Sequence, residues 1–204
     1  YVDLPDGMGA IFVSDGGGYA CAVLENDSLV CWGSNDEWQL GDGTSTSSGS
    51  PVFSDLPDGR FAVEVSAHED GADTQTCSIL DNGSVYCWGG VYSSMGVGLG
   101  SFIEIPTGRE AVSLSVGPTG AMVNHGSFII LDDGSLVGWN GATETTTHYV
   151  TLPDGSDAAF GAYYDPGSFE DPVVSWTITC HSVWNDNWDD GYAIEVYSNS
   201  SGSL

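Results

Sequence analysis

The chain has 204 residues, of which 41% are hydrophobic and 11% aromatic, so it can bury a core and fits one domain or one repeat array. Twenty-nine acidic residues and only two basic ones, Arg60 and Arg109, give a net charge of −27, which opposes binding to nucleic acid phosphates and to anionic membranes. No stretch of roughly 18 apolar residues occurs, so we expect no membrane insertion. We interpret the charge first as a solvated surface suited to a salty medium, and second as a set of cation sites.

A tetrapeptide marks the start of each of four repeats. It reads Leu4-Pro5-Asp6-Gly7, Leu56-Pro57-Asp58-Gly59, Ile105-Pro106-Thr107-Gly108 and Leu152-Pro153-Asp154-Gly155, and successive starts lie 52, 49 and 47 residues apart. Self-similarity at such a period is typical of solenoids and propellers. We therefore interpret 1–204 as a single domain with repeats at about 1–55, 56–104, 105–151 and 152–204, the last of them degenerate.

A hairpin pattern recurs within each of the first three repeats. Two β-favouring runs flank the turns Glu25-Asn26-Asp27, Asp81-Asn82-Gly83 and Asp132-Asp133-Gly134. Apolar runs joined by Asn-Gly or Asp-Gly predict β-hairpins. Each hairpin ends in a tryptophan, Trp32, Trp88 or Trp139, which we predict to lie in the core. The pattern predicts an all-β fold, a β-propeller-like array of four degenerate repeats that serve as blades.

Two segments resemble a known family. The run from Cys77 to Gly89, with Asp81-Asn82-Gly83 at its turn, is similar to the hairpin of secreted prokaryotic members of the regulator of chromosome condensation repeat family. Trp32-Gly33-Ser34-Asn35, leading to Gln39-Leu40-Gly41-Asp42-Gly43-Thr44, resembles the glycine-rich loop of that family. The resemblance covers the first three repeats and implies a β-propeller. Its nuclear members act as nucleotide exchange factors on chromatin, a role that the acidic composition and paired cysteines here oppose.

Propellers of this family usually carry more blades than this chain has repeats. Tyr1-Val2 occupies the place of Phe53-Ser54, Phe102-Ile103 and Tyr149-Val150, the last strand of a repeat. We expect this N-terminal strand to complete the last blade, either of the same chain or of a neighbouring chain in an oligomer or filament. The other interpretation is that the chain is a piece of a longer array.

Four cysteines recur at one spacing on the two arms of equivalent hairpins. Cys21 and Cys31 form one pair, and Cys77 and Cys87 form the other. Facing residues of antiparallel strands lie at a distance that a disulfide can bridge, so we predict two disulfides within hairpins. Zinc binding is disfavoured because no histidine accompanies either pair. Disulfides predict a secreted protein in an oxidising, extracellular or cell-surface setting. Cys180 is left over, as a small buried residue or as the partner of a cysteine elsewhere.

Three asparagines fit the acceptor pattern for N-glycosylation. They are Asn26 and Asn82, which occupy the same hairpin tip in two repeats, and Asn199. Asparagine is also favoured in tight turns for its backbone geometry, so turn formation is an equal alternative.

The sequence carries no recognisable catalytic constellation, and we expect neither enzymatic activity nor a cofactor. One segment permits calcium: Asn185, Asn187 and Asp189 alternate before a glycine, although an ordinary acidic turn explains them as well. The aromatic residues around it, Trp184, Trp188 and Tyr192, form a candidate contact surface for glycan or protein, or the core of a terminal blade.

These observations predict a non-enzymatic extracellular or cell-surface scaffold or adhesion module with a protein or glycan partner. The alternative is a structural subunit of a filament or oligomer assembled by strand completion between chains. A hydrolase acting on surface glycans is a third hypothesis, because acidic residues are abundant enough to supply a carboxylate pair.

Overall fold

Three antiparallel sheets of four strands follow one another along the chain, one in each of the first three repeats. They are seen in a computed structural model, which describes residues 2–70, 73–90, 100–118, 126–140, 145–150, 176–181 and 193–198. In each sheet the strands keep their order along the chain, so each repeat is one meander, the blade of a β-propeller. The predicted all-β propeller fold is confirmed for these three repeats.

The strands have these bounds. Blade 1 contains β1 (Ala10–Asp15), β2 (Tyr19–Leu24), β3 (Leu29–Gly33) and β4 (Ser48–Phe53); blade 2 contains β5 (Ala62–Asp70), β6 (Asp73–Leu80), β7 (Val85–Trp88) and β8 (Ser101–Ile103); blade 3 contains β9 (Ala111–Ser115), β10 (Ser127–Leu131), β11 (Leu136–Trp139) and β12 (His148–Tyr149). A 3-10 turn at Pro5–Gly7 precedes β1, and a separate hairpin pairs β13 (Trp176–His181) with β14 (Ala193–Ser198).

The chain divides into two compact units, Tyr1–Ala158 and Ala159–Leu204. The first holds the three blades and the second holds the β13–β14 hairpin. The assignment of residues 152–204 to a fourth blade stays a prediction, and so does closure by an N-terminal strand, since Tyr1 lies outside the described residues.

The predicted hairpin turns are three-residue loops that each end in a left-handed residue. Asp27, Gly83 and Gly134 have φ values of 63°, 73° and 81°. In the first turn, the backbone N–H of Leu24 donates to Ser28 and that of Asp27 donates back to Leu24, each at 2.9 Å. A left-handed third residue lets so short a loop follow the twist of the strands, which is why Gly or a short Asp stands there.

A bulge recurs in the first strand of every blade. The pairing shifts register around Ile11 in β1, Val63 in β5 and Val112 in β9. All three bulged side chains are exposed. A bulge turns one residue out of the alternation, so an apolar side chain at this position does not report on core packing.

Each blade has two faces, and blade 2 packs against a neighbouring blade through both of them. We call the face that carries Cys21 and Cys31 the forward face; its equivalents are Cys77 and Cys87 in blade 2 and Phe128 and Gly138 in blade 3. We call the opposite face, which carries Val13 and Trp32, the rear face; its equivalents are Val65 and Trp88 in blade 2 and Leu114 and Trp139 in blade 3. The forward face of blade 1 packs on the rear face of blade 2, and the forward face of blade 2 packs on the rear face of blade 3. Blade 2 is therefore buried between its two neighbours.

Candidate functional site

Two disulfides lie inside the blade interfaces, at the predicted pairs. Cys21 faces Cys31 across β2 and β3, and Cys77 faces Cys87 across β6 and β7, with Cα atoms 4.0 Å apart in each pair. All four residues are fully buried on the forward face of their blade. Each disulfide therefore joins two strands of one blade and also forms part of the surface on which the next blade packs.

Two of the Asn residues predicted as glycosylation sites, Asn26 and Asn82, lie at exposed hairpin tips. The Oδ1 atom of Asn26 accepts hydrogen bonds from the backbone N and the Oγ of Ser28, at 3.2 and 2.6 Å. Asn82 accepts the same two bonds from Ser84, and Asp133 accepts them from Ser135. An aspartate performs this role in blade 3, so turn geometry accounts for the residue type. Use of the sequons stays a prediction.

Both basic side chains of the protein are engaged at these tips. Arg60 contacts Asp81 at 3.2 Å, and Arg109 contacts Asp132 at 3.7 Å and Asp133 at 3.0 Å. The hydroxyl and N–H of Ser135, together with Arg109, lower the pKa of the Asp133 carboxyl. Such exposed ion pairs contribute little stability. Their consequence is electrostatic: no basic side chain of the chain remains unpaired to offset the surplus of carboxylates.

The glycine-rich loop of repeat 1 is a contact with the next blade. The Nε1 atom of Trp88 donates to the carbonyl of Gln39 at 3.0 Å, and Thr76 Oγ1 donates to the same oxygen at 2.9 Å. Gly41 has a φ of +68°, and a Cβ built on it would lie 2.5 Å from Trp88 Nε1. The buried Asn35 holds the loop, since its Oδ1 accepts from Leu40 N at 2.9 Å. The loop motif therefore has a packing function.

Hydrogen bonds across the two blade interfaces repeat position by position. The N–H of Ala67 donates to Ser14 Oγ, and that of Val116 donates to Ser66 Oγ, both at 3.0 Å. At the hairpin tips, Ala62 N donates to Asp27 O at 3.0 Å, and Ala111 N donates to Gly83 O at 2.8 Å. At these two positions, in both interfaces, the first strand of the later blade supplies the donor and the earlier blade supplies the acceptor.

Two buried ionisable groups also belong to these interfaces. The Tyr19 hydroxyl lies 2.8 Å from both Gln75 O and Thr76 Oγ1, and its burial raises the pKa of the phenol. Burial likewise raises the pKa of Glu64, whose Oε1 accepts from Leu114 N at 2.9 Å. Both groups are used in joining one blade to the next.

The rear face of blade 1 is only partly covered: Ala22, Leu24 and Val30 are buried beside Leu4 and Met8, but the first strand is exposed where the first strands of blades 2 and 3 are buried. Val13 is 64% exposed, whereas the equivalent Val65 and Leu114 are 1% and 7% exposed. Ala10 and Asp15 are exposed as well, and Trp32 is half-buried. The prediction that the hairpin tryptophans lie in the core is confirmed for Trp88 and Trp139, whereas Trp32 is half-buried and no blade within the described residues packs on it. We call Ala10, Val13, Asp15 and Trp32 the rear patch.

The forward face of blade 3 is only partly covered by the described residues. Phe128 and Ile130 are half-buried, although the equivalent Cys21, Val23, Cys77 and Ile79 are buried. Ser115, which corresponds to Ser14 and Ser66, is exposed. We call Ser115, Phe128 and Ile130 the forward patch. Neither patch is visible in the sequence alone, but aligning the three repeats by register identifies both.

Several residues predicted to be functional lie outside the part of the chain that the structure describes. They are the calcium candidates Asn185, Asn187 and Asp189, the contact candidates Trp184, Trp188 and Tyr192, and the sequon Asn199. Among the residues that are described, no group of three or more His, Cys, Asp or Glu side chains is placed to hold a metal ion. The described helical structure includes no segment long and apolar enough to cross a membrane.

Comparison with solved structures identifies the fold. No family model and no curated protein matches the chain. The solved structure of human WBSCR16 superposes with a TM-score of 0.57 at 18% identity, covering 75% of this chain and 42% of that one. Prp20p from Saccharomyces cerevisiae, the yeast RCC1, superposes with a TM-score of 0.51 at 15% identity, covering 71% and 39%. The chain shares their β-propeller fold and spans less than half the length of each.

Proposed function

We propose that this chain is a non-enzymatic, extracellular protein-binding module without a cofactor, and that it binds through the rear patch of blade 1. The observation that carries the proposal is the exposure of Val13 at a position that is buried in blades 2 and 3. An exposed apolar position on a sheet face that elsewhere forms an interface is a typical protein-contact surface.

The chemistry of the described residues supports a binding role over a catalytic one. Strongly shifted pKa values mark candidate catalytic groups. Here burial raises the pKa of Tyr19 and that of Glu64, and both groups are hydrogen-bonded inside blade interfaces rather than in an open cleft. The two disulfides support an oxidising location, and the charge of −27 argues against nucleic acid as the partner. Prp20p binds Gsp1p and histones, so one protein of this fold has protein partners.

The test is site-specific photo-cross-linking. A benzophenone amino acid replaces Val13 in one sample and Ile11 in a matched control, since Ile11 is similarly exposed but lies in the bulge, whose residue is exposed in all three blades. The protein is incubated with extracellular proteins of the source organism. We expect an adduct of defined mass at position 13 that excess unlabelled chain competes away. Equal or absent adducts at both positions would contradict the proposal.

A further inference from the structure

We propose that a groove between blades 1 and 2 binds a basic segment of a protein partner, in which lysine or arginine stands next to an apolar residue. The groove lies between the hairpin tip 27–29 of blade 1 and the connection 53–61 that leads into blade 2. Both of its walls belong to the described part of the chain. The groove shares no residue with the rear patch, so it is a second contact surface.

Two phenylalanine rings line the groove and remain accessible to a partner. Phe53 is 50% exposed and Phe61 is 53% exposed. The groove has a volume of about 320 Å³, at the small end of known binding sites, which run from about 300 to 1,000 Å³. It can therefore receive a short segment, and exposed aromatic side chains in a concave site are typical anchors for an apolar group of a partner.

The place of Phe61 follows from its neighbour at the hairpin tip. At the junction of blades 2 and 3, Glu110 holds the equivalent position and lies over the tip residue Gly83, where a Cβ would collide with the Cβ of Glu110. Blade 1 has Asp27 at its tip, and Asp27 carries a Cβ. The space that Glu110 uses is therefore filled at the first junction, and Phe61 lines the groove instead.

The charges around the groove select a cationic partner. Asp27, Asp55 and Asp58 are exposed and line it. The basic side chain among the lining residues, Arg60, is engaged by Asp81 at 3.2 Å. The potential in the groove is thus negative, and the net charge of −27 on the chain reinforces it. A lysine or arginine side chain there gains from the carboxylates and from the faces of the aromatic rings.

The junction of blades 2 and 3 lacks this combination. The residues at the positions of Phe61, Asp27 and Asp58 are Glu110, Gly83 and Thr107. Glu104, at the position of Asp55, accepts hydrogen bonds from Thr146 Oγ1 and Thr147 N, both at 3.2 Å. Packing of one blade on the next therefore does not require the aromatic wall or its carboxylates, which supports a role in binding.

The experiment is fluorescence anisotropy with a short fluorescein-labelled peptide in which lysine alternates with leucine. Because the whole chain attracts cationic peptides, each variant has a control with the same chemical change. Phe61→Ala is compared with Phe102→Ala, since Phe102 is 50% exposed and holds the position of Phe53 in blade 2. Asp58→Asn is compared with Asp6→Asn, since Asp6 is exposed and holds the same place in the first tetrapeptide. All four residues are exposed, so the variants should fold, and circular dichroism checks this.

We expect Phe61→Ala to weaken binding about tenfold, which corresponds to the lower end of the free energy of burying a phenylalanine side chain. Asp58→Asn should weaken it about two- to threefold at low salt and less at high salt. The two controls should leave it nearly unchanged.

Equal effects of each variant and its control would overturn the inference by assigning binding to the overall charge. No binding of the peptide to the unmodified chain would overturn it as well. Displacement of the peptide by a neutral oligosaccharide would overturn it too, by assigning the groove to a glycan. None of these outcomes affects the photo-adduct expected at position 13, so the proposed function is tested separately.

Discussion

At the scale of single residues, Glu64 ties the stability of the blade 2–3 interface to pH. Its Oε1 accepts from Leu114 N at 2.9 Å and from Ser113 Oγ at 3.4 Å, and burial raises the pKa of its carboxyl. A raised folded-state pKa means that this group's contribution is fully present below the unfolded pKa of about 4.3 and is lost as pH rises through the folded pKa.

Glu64→Gln should therefore be more stable than the wild type at neutral pH, and this difference should shrink as pH falls towards the unfolded pKa. Glutamine keeps the accepting oxygen and removes the buried charge. Urea midpoints measured across the acidic and neutral range test this. Asp58→Asn, which removes one exposed carboxylate, is the control for the overall change in charge. The same pH dependence in both variants would show that Glu64 contributes nothing specific.

Gly41 offers a second test at this scale, because two separate causes favour glycine there. Its φ is +68°, and its Cβ would approach Trp88 Nε1 to 2.5 Å. Gly43 has a similar φ of +73°, but the nearest atom to its Cβ would be Asp55 Oδ2 at 3.4 Å. Gly43→Ala should lower the unfolding free energy by about 1–2 kcal/mol, the cost of a left-handed backbone for a residue other than glycine. Gly41→Ala should lower the unfolding free energy by a further ~1–3 kcal/mol, because the added methyl group overpacks against the Trp88 indole. Equal decreases in unfolding free energy for the two variants, measured by chemical denaturation, would show that the loop moves away from the indole at no energetic cost.

At the scale of elements, each disulfide closes a loop within one hairpin. The sequence separation is 10 residues in both, for which the chain-entropy relation gives about 3 kcal/mol of stabilisation. Replacing both cysteines of either pair by alanine should lower the unfolding free energy by roughly this amount or slightly more, since both pairs are fully buried. Urea denaturation of the two double variants measures it. A loss well below 1 kcal/mol in either would show that its hairpin is equally ordered without the disulfide.

The hairpins show how much of an element can be predicted from its sequence. The turns at Glu25-Asn26-Asp27 and its two equivalents, the paired cysteines and the final strands ending near Phe53, Phe102 and Tyr149 were all predictable, because turn chemistry and spacing are local properties. The bulges at Ile11, Val63 and Val112 were not, since a bulged residue looks like one more β-favouring apolar residue.

The face that each residue presents was also beyond prediction. In a stack of blades both faces of a sheet are buried, so alternation of apolar and polar residues does not separate them. The candidate site depends on that distinction: Val13 resembles Val65 in the sequence and differs from it only in what covers it. The sequence pointed instead to a contact surface and a calcium site within residues 184–192, which lie outside the described residues.

At the scale of the whole molecule, the surplus of negative charge acts on stability and association together. Compaction brings 29 acidic groups together with only two basic ones, so self-repulsion destabilises the folded chain at low salt. The ion pairs of Arg60 and Arg109 are local and leave this field in place. The protein should therefore need salt to reach its full stability.

Unfolding free energy should rise steeply as KCl is added and then level off. Screening predicts this shape, because the Debye length falls from about 10 Å at 0.1 M to about 3 Å at 1 M, after which little repulsion remains to be screened. Thermal unfolding across a KCl series, with sucrose as an uncharged cosolute for comparison, measures it. A gain that continued linearly to the highest salt and was matched by sucrose would instead indicate exclusion of the cosolute from the protein surface. In that case electrostatic repulsion would not limit the stability of the fold, and the acidic surface would have to serve the binding of a partner instead.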